Sequence, residues 1–305
     1  MSLFIFGLGY SAMHYVTTRA AGKCVAGTVR TRDKAQQIDA SHTNVEALVF
    51  DTPAIDATIE QRLASATRLL ISIPPSDSAD LVLAHFAEAI ASAPRLERIV
   101  YLSTIGVYGD AHGAWIDEDE STEPNSARNR ARALAEQQWL TFGEGARKKV
   151  TILRLAGIYG PGRNALVNLR EGKARRIIKP AHVFNRIHVE DIARAIEAAF
   201  GRDAPSGVFN VTDDEPAPPQ DVIAYAAGLL GIEPPPEIPF ESADLTPMTR
   251  SFYSSSKRVS NEKMKEKLGV TLAYPTYRDG LRQLAEDFAN KALREMVVGA
   301  GPRIS

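Results

Sequence analysis

The chain has 305 residues, of which 44% are hydrophobic and 24% are charged, a composition typical of a folded globular protein rather than a disordered one. Its 36 lysines and arginines nearly balance its 37 aspartates and glutamates, so the net charge of -1 argues against nucleic acid or an anionic membrane as a partner. The single cysteine, Cys24, excludes an internal disulfide and a cysteine-cluster metal site, and it fits a cytoplasmic location.

Short aliphatic runs alternate with amphipathic helical segments along most of the chain. This alternation predicts an α/β fold, a Rossmann-type doubly wound parallel sheet with helices on both faces. The predicted strands are 3–7, 24–29, 45–50, 68–73, 98–103, 149–155 and 207–211. The apolar start MSLFIFGLGYSAMHYV lacks a charged leader and is interrupted by Gly7 and Gly9, so we expect neither a signal peptide nor a membrane span there.

Two segments interrupt the alternation of strands and helices. Residues 163–185 and 212–305 have longer helical patterns, and the second contains the proline clusters PAPPQ and EPPPEIP. We expect residues 1–162, completed by 186–211, to form the core, and the two interrupting segments to form a smaller substrate-binding lobe. The last dozen residues, ending GAGPRIS, have a weak pattern and are expected to be loosely ordered.

The first predicted strand leads into GLGYSA, a G-x-G-x-x-A sequence that also opens a predicted helix. In such a unit Gly7 permits a tight turn, Gly9 lets the backbone approach a pyrophosphate, and the small Ala12 allows close helix packing. Tyr10 and Ser11 place the first helix amides beside the phosphates. A turn that merely needs glycine is the alternative, but the position directly after the first strand favours a dinucleotide cofactor.

The second predicted strand ends without the acidic residue that an NAD site usually places on the ribose 2′-hydroxyl. Arg30 and Arg32 stand there instead, and guanidinium groups match a 2′-phosphate, so NADP is predicted over NAD. The alternative is that both arginines are surface charges beside a helix start. Asp51, after the third strand, is a candidate acceptor for the adenine edge, or equally a loop or helix-cap residue.

Four more motifs follow in order, namely YLSTIGVYGD at 101–110, RLAGIYGPGRN at 154–164, NRIHVEDIA at 185–193 and FNVTDDEP at 209–216. Together with the glycine loop they resemble the extended short-chain dehydrogenase/reductase family over nearly the whole chain. This is the branch of nucleoside-diphosphate-sugar epimerases, dehydratases and reductases. The resemblance implies a dinucleotide-binding Rossmann core, a C-terminal substrate lobe and an active site in the cleft between them, with a Ser/Thr and a Tyr-x-x-x-Lys pair.

The resemblance assigns catalytic candidates, with one departure from the family pattern. Thr104 matches the Ser/Thr, whose hydroxyl would polarise a substrate carbonyl or alcohol. In PNSARNRARALAE, at 124–136, the tyrosine has become Arg128 and the lysine has become Arg132. Arg132 could keep the lysine's contact with the nicotinamide ribose, whereas Arg128 cannot transfer a proton, because a guanidinium effectively never deprotonates. The chain therefore resembles an atypical member that lacks the Tyr-x-x-x-Lys pair.

The two arginines have competing interpretations. Arg128, Arg132 and Glu136 are four residues apart in turn, and they could form a row of ion pairs on a helix surface. The ungapped family pattern instead places the arginines toward the cleft, and we favour this interpretation. Arg128 would then join Arg163 and Arg186 in binding an anionic substrate.

Two functions follow from these observations. The first is an NADP-binding oxidoreductase or epimerase-like enzyme that acts on an anionic or nucleotide-linked small molecule, with no metal and with an unidentified proton donor. The second is a catalytically silent NADP(H)-binding protein that reports the redox state of its cofactor to a partner. The second arises because the chain keeps the cofactor loop and has lost the acid–base pair.

Overall fold

The computed structural model describes residues 2–51, 54–76 and 79–299. The strands are β1 (Leu3–Phe6), β2 (Val25–Val29), β3 (Val45–Asp51), β4 (Ala54–Ile55), β5 (Arg68–Ile71), β6 (Arg98–Thr104), β7 (Trp115–Ile116), β8 (Lys149–Leu155), β9 (Gly157–Tyr159), β10 (Arg176–Ile178), β11 (Arg186–His188), β12 (Gly207–Val211), β13 (Glu237–Pro239) and β14 (Arg258–Val259). The α-helices are α1 (Tyr10–Arg19), α2 (Arg32–Ser41), α3 (Thr58–Ser65), α4 (Leu81–Ser92), α5 (Ala127–Ala146), α6 (Ala165–Arg170), α7 (Val189–Ala199), α8 (Pro219–Leu230), α9 (Pro247–Phe252), α10 (Glu262–Leu268) and α11 (Tyr277–Gly299). Short 3-10 helices span Ile105–Val107 and Phe240–Ser242.

The main sheet has the strand order β12-β8-β6-β5-β1-β2-β3-β4. All neighbouring strands are parallel except β3 and β4, which are antiparallel. The parallel strands are those predicted from the sequence, so the α/β fold class is confirmed. From β1 the chain builds outward first through β2 and β3, and later through β5, β6, β8 and β12. In such sheets ligands bind beyond the carboxyl ends of the strands where the order reverses, which here is the end of β1.

Both faces of the sheet are covered, which explains why its strands are continuously apolar. Side chains alternate across β1, so Ile5 lies in the cluster under α1, α2, α7 and α10, while Phe6 lies in the cluster under α3, α4 and α5. Trp139 of α5 is fully buried in the second cluster. Met264 of α10 also lies in the first cluster, although it belongs to the segment 212–305 that the sequence assigned to the substrate-binding lobe.

Helices α6, α8 and α11 pack together and form a separate apolar cluster. A small parallel pair, β10 and β13, lies beside α8. In the described part of the chain, no helix combines the length and the apolar character needed to cross a membrane. Residues 300–305, which belong to the segment expected to be loosely ordered, lie outside the described residues.

Candidate active site

The glycine loop joins β1 to α1 at the edge where the strand order reverses. Gly7 has a φ of +96°, and a Cβ there would lie 2.6 Å from Cγ2 of Ile73, so a side chain would be strained and would clash. The loop is tied to β2, because Gly7 N–H donates to Oγ1 of Thr28 (3.0 Å) and Leu8 N–H donates to the Thr28 carbonyl (2.8 Å). A Cβ on Gly9 would meet no atom within 4 Å, so the space over this residue is open to a ligand.

The start of α1 completes this open region. Ser11 and Ala12 are buried, whereas Tyr10 is 37% exposed. No described side chain caps the helix, so its first amides are left for a ligand. An uncapped helix start beside a glycine that leaves open space fits the pyrophosphate of a dinucleotide. The five predicted loop residues, Gly7 to Ala12 without Leu8, thus lie in the turn from β1 into α1, and the open space is found at Gly9.

The other predicted cofactor residues lie on the neighbouring strand ends. Arg30 directly follows β2, and Arg32 begins α2. Thr31 caps the start of α2, because its Oγ1 accepts from Lys34 N–H (3.3 Å). Both arginine side chains are exposed, and neither forms a hydrogen bond or an ion pair with any described residue. Asp51 ends β3, is also exposed and caps no described helix, so the helix-cap alternative is not observed.

Glu136 does not belong to a surface row of ion pairs. It is 2% exposed, and its carboxylate accepts from Nη2 (2.7 Å) and Nε (3.0 Å) of Arg154 and from the Ser103 hydroxyl. The Arg154 guanidinium lies 4.7 Å from the ring centroid of Tyr108, whose hydroxyl donates to Oδ1 of Asn210 (2.9 Å). Burial also raises the pKa of Tyr108. This network ties α5 to β6, β8 and β12, and it leaves Tyr108 unsuited to proton transfer.

Arg128 and Arg132 have different surroundings although they are one helical turn apart. The Arg132 guanidinium donates from Nη1 to the Leu102 carbonyl (2.8 Å) and to the Tyr101 hydroxyl (3.2 Å), and Arg132 does not line the cavity described below. Arg128 is exposed, lies 5.7 Å from the ring centroid of Phe252 in α9, and lines that cavity. The surface-row alternative is therefore wrong, and only Arg128 faces the cleft as predicted for a substrate ligand.

A cavity of about 690 Å³ lies between the ends of β6, β9 and β11 and the helices α8, α9 and α11. This volume is typical of a pocket for a small molecule. No acidic residue of the described chain lines it. Its charged lining residues are Arg128, Arg163, Arg175, Arg186 and Lys257. The electrostatic character of the cavity therefore favours an anion.

Thr104 and Arg163 both line this cavity, and Arg163 also reaches the glycine loop. Thr104 Oγ1 accepts from Gly106 N–H (3.0 Å), and the hydroxyl proton has no acceptor among the described residues, so it is free for a ligand. The Arg163 guanidinium lies 5.9 Å from the ring centroid of Tyr10, whose hydroxyl donates to the Pro161 carbonyl (3.0 Å). The predicted cofactor loop and the predicted substrate arginine thus meet at Tyr10.

Arg186 is held in the cavity wall by backbone carbonyls. Its Nη1 donates to the carbonyls of Phe184 (3.0 Å) and Ala217 (3.1 Å). Burial lowers the pKa of Arg186, and nearby Asp213 opposes this effect, while burial raises the pKa of Asp213 well above its usual value. No described carboxylate lies within ion-pair distance of the guanidinium. Its charge is thus available to an anion.

Lys257 is a cavity residue that sequence reasoning missed. It is 6% exposed, and its Nζ donates to the Ser255 hydroxyl (3.0 Å). Burial lowers its pKa to about 8. In the sequence it stands in SSSKRV, a polar run that would ordinarily indicate a solvated loop, so no local signal marks it.

Residues 54–212 match the model of the NAD dependent epimerase/dehydratase family. A curated relative, Protein YeeZ of Escherichia coli (strain K12), is 34% identical over a match that spans 76% of this chain and 84% of its own. This chain belongs to the NAD dependent epimerase/dehydratase family. The 3-diazoavenalumate denitrifying reductase of Streptomyces sp is 29% identical, over 86% of this chain and 92% of that protein. Membership of the epimerase/dehydratase branch, predicted from the motifs, is confirmed.

Solved structures agree with this family membership. The structure of a functionally unknown conserved protein from Silicibacter pomeroyi DSS has a TM-score of 0.83 and 46% identity, covering 94% of this chain and 99% of that one. A UDP-glucuronic acid 4-epimerase from Bacillus cereus in complex with NAD has a TM-score of 0.75 and 16% identity, covering 95% and 99%. The second likeness concerns the fold alone, and it confirms the Rossmann-type fold of this chain.

Proposed function

We propose that the protein is an NAD(P)-dependent oxidoreductase that acts on an anionic or nucleotide-linked small molecule. The observation that carries this proposal is the cavity next to the glycine loop, because its charged lining is cationic throughout the described residues. An anion there would meet guanidinium groups that already lack carboxylate partners, so binding would not have to break an ion pair. The Streptomyces relative is named as a reductase, which supports turnover.

Each part of the site has a task in this function. The amides of Gly9 and of the start of α1 would hold the pyrophosphate of the dinucleotide, which would supply hydride. The free hydroxyl proton of Thr104 donates to a substrate oxygen and polarises its bond to carbon. Arg128, Arg163 and Arg186 hold the anionic group of the substrate. Arg132 binds the nicotinamide ribose through those of its N–H groups that the β6 contacts leave free.

We further propose that NADP is preferred to NAD. Arg30 and Arg32 support this preference because both are exposed, lack partners in the described chain and lie at the end of β2. A 2′-phosphate would gain charge-assisted hydrogen bonds there. Asp51, at the next strand end, is proposed as the acceptor for the adenine edge. The exposed, unpaired Cys24 supports a cytoplasmic location.

A catalytically silent, redox-sensing NADP(H)-binding protein is the second candidate. The observation that favours it is the loss of the phenol at position 128, together with the burial of Tyr108 in a structural network. A silent protein would need the glycine loop and the uncapped helix start, but it would not need cavity cations that lack carboxylate partners. Hydride transfer separates the two candidates.

The test follows the absorbance of NADPH in the presence of a series of simple keto acids, with their uncharged analogues as matched controls. We expect oxidation of NADPH with at least one anionic compound, and much slower oxidation with its uncharged analogue. Tight binding of NADPH without hydride transfer to any compound would contradict the enzyme and favour the silent protein.

A further inference from the structure

The proposed oxidoreductase lacks the family's proton-transferring tyrosine, and the structure offers a replacement. We propose that Lys257 is the acid–base residue of the cavity, with its ammonium group bound to the substrate oxygen that changes protonation during hydride transfer. This role rests on the proposed function, because it concerns the same cavity and the same reaction.

Lys257 is fixed at the cavity wall by its main chain. It immediately precedes β14, and its carbonyl accepts from Nδ2 of Asn185 (3.0 Å), while Oδ1 of the same asparagine accepts from Val259 N–H (2.9 Å). Asn185 and Ser255 line the cavity as well. An ammonium group has three N–H donors, and the Ser255 hydroxyl uses one of them. The other two are available to a ligand.

The groups that face Lys257 leave its charge poorly compensated. Asp110, in the loop after the first 3-10 helix, raises the pKa of Lys257, but burial is the larger effect and lowers it. Asp110 is itself engaged, since its Oδ1 accepts from Ser256 N–H (2.7 Å). The charge of Lys257 also acts on His182, in the loop before β11, and burial lowers the pKa of His182 to about 4, so this ring is neutral at neutral pH. No carboxylate of the described residues forms an ion pair with Lys257.

The other titratable groups of the cavity are unsuited to proton exchange near neutral pH. The arginines stay charged. Burial raises the pKa of Tyr159, Tyr253 and Tyr277, each from an ordinary value that is already about 10. Lys257 has a pKa of about 8, close to the pH at which a general acid or base is most effective. Among the described lining residues it therefore holds the mobile proton.

The reaction balances with Lys257 in this role. When a substrate carbonyl carbon receives hydride from the reduced nicotinamide, the π bond to oxygen breaks and that oxygen takes a proton from the Lys257 ammonium. The cofactor is oxidised and the carbonyl is reduced to an alcohol. The neutral amine then regains a proton from water. In the opposite direction the amine accepts the alcohol proton as hydride leaves.

Sulfate provides a test that needs no substrate, because it remains a dianion across the relevant pH range. Calorimetric titration of sulfate is carried out between about pH 7 and about pH 9.5, which brackets the lysine pKa, on wild type, Lys257→Arg, Lys257→Met and the exposed control Lys267→Met. Each titration is repeated with saturating NADP+, which should displace any sulfate bound at the glycine loop, so that sulfate bound in the cavity is measured separately.

We expect sulfate to bind wild type and the Lys267→Met control about ten- to thirtyfold more weakly at the upper pH, because most of the ammonium has lost its proton. Lys257→Arg should bind equally well throughout, and Lys257→Met should bind weakly throughout. Affinity that does not change with pH in wild type, or changes equally in Lys257→Arg, would overturn the assignment. Circular dichroism checks that each variant is folded.

The result also separates this assignment from the proposed function. A protein that binds no NADP(H) or transfers no hydride refutes the oxidoreductase, whatever the sulfate titrations give. Hydride transfer to a keto acid that keeps the wild-type pH profile in Lys257→Arg refutes the role of Lys257 alone.

Discussion

The glycine loop and the cationic cavity lie side by side, but they are built in different ways. The loop depends on backbone geometry, since Gly7 has a positive φ and its Cβ position is occupied by Ile73. The cavity depends on side chains from distant segments, among them Arg128 of α5 and Lys257 before β14. Backbone geometry restricts the sequence to few residue types, whereas a cavity can exchange its functional groups while the fold persists. This difference explains how the chain keeps the glycine loop while Arg128 and Arg132 occupy the positions of the family's Tyr-x-x-x-Lys pair.

The largest effect should come from closing the open space at the loop. Gly9→Val would place a branched side chain where the pyrophosphate binds, and should weaken NADP+ by more than about a hundredfold, since several charge-assisted hydrogen bonds of roughly 1.5–3 kcal/mol each would be lost. The control is Gly145→Val, at an exposed glycine of α5 where a Cβ also meets open space, and it should bind NADP+ as the wild type does. Calorimetry measures both, and unchanged binding by the Gly9 variant would refute the loop assignment.

The next largest effect concerns the choice between NADP+ and NAD+ at the end of β2. Removing Arg30 and Arg32 together should erase the preference for NADP+ over NAD+, with a loss in NADP+ binding of about 1.5–3 kcal/mol for each guanidinium that makes a charge-assisted bond. NAD+ binding should change little. Equal affinity of the wild type for the two cofactors would show that these arginines are only surface charges.

The smallest effects should come from the two arginines of α5, one of which should affect cofactor binding and the other anion binding in the cavity. Arg132→Ala should weaken NADPH by about 1–3 kcal/mol, as expected for a hydrogen bond to a charged group, and leave sulfate binding nearly unchanged. Arg128→Ala should do the reverse, because Arg128 lines the cavity and Arg132 turns to the Leu102 carbonyl. Identical small losses in both variants would mean that neither arginine serves the site.

The sequence predicts the parts of the molecule that local pattern determines. Apolar runs marked the parallel strands, and GLGYSA marked the open helix start, because both depend on residues adjacent in the chain. Lys257 could not be found in this way, since the groups that interact with it, Asp110, His182 and Asn185, lie far from it in sequence. Glu136 was open to a surface interpretation for the same reason, as its partner Arg154 lies on a later strand.

The most direct test is a crystal structure of the protein with NADP+ and sulfate. We expect the dinucleotide at the carboxyl edge of the sheet, with its pyrophosphate over Gly9 and its 2′-phosphate beside Arg30 and Arg32. A sulfate should lie in the cavity, within hydrogen-bond distance of Arg128 and of Nζ of Lys257. A dinucleotide bound elsewhere, or a cavity that takes no anion while sulfate occupies other surfaces, would contradict an NADP-dependent enzyme with a cationic substrate cavity.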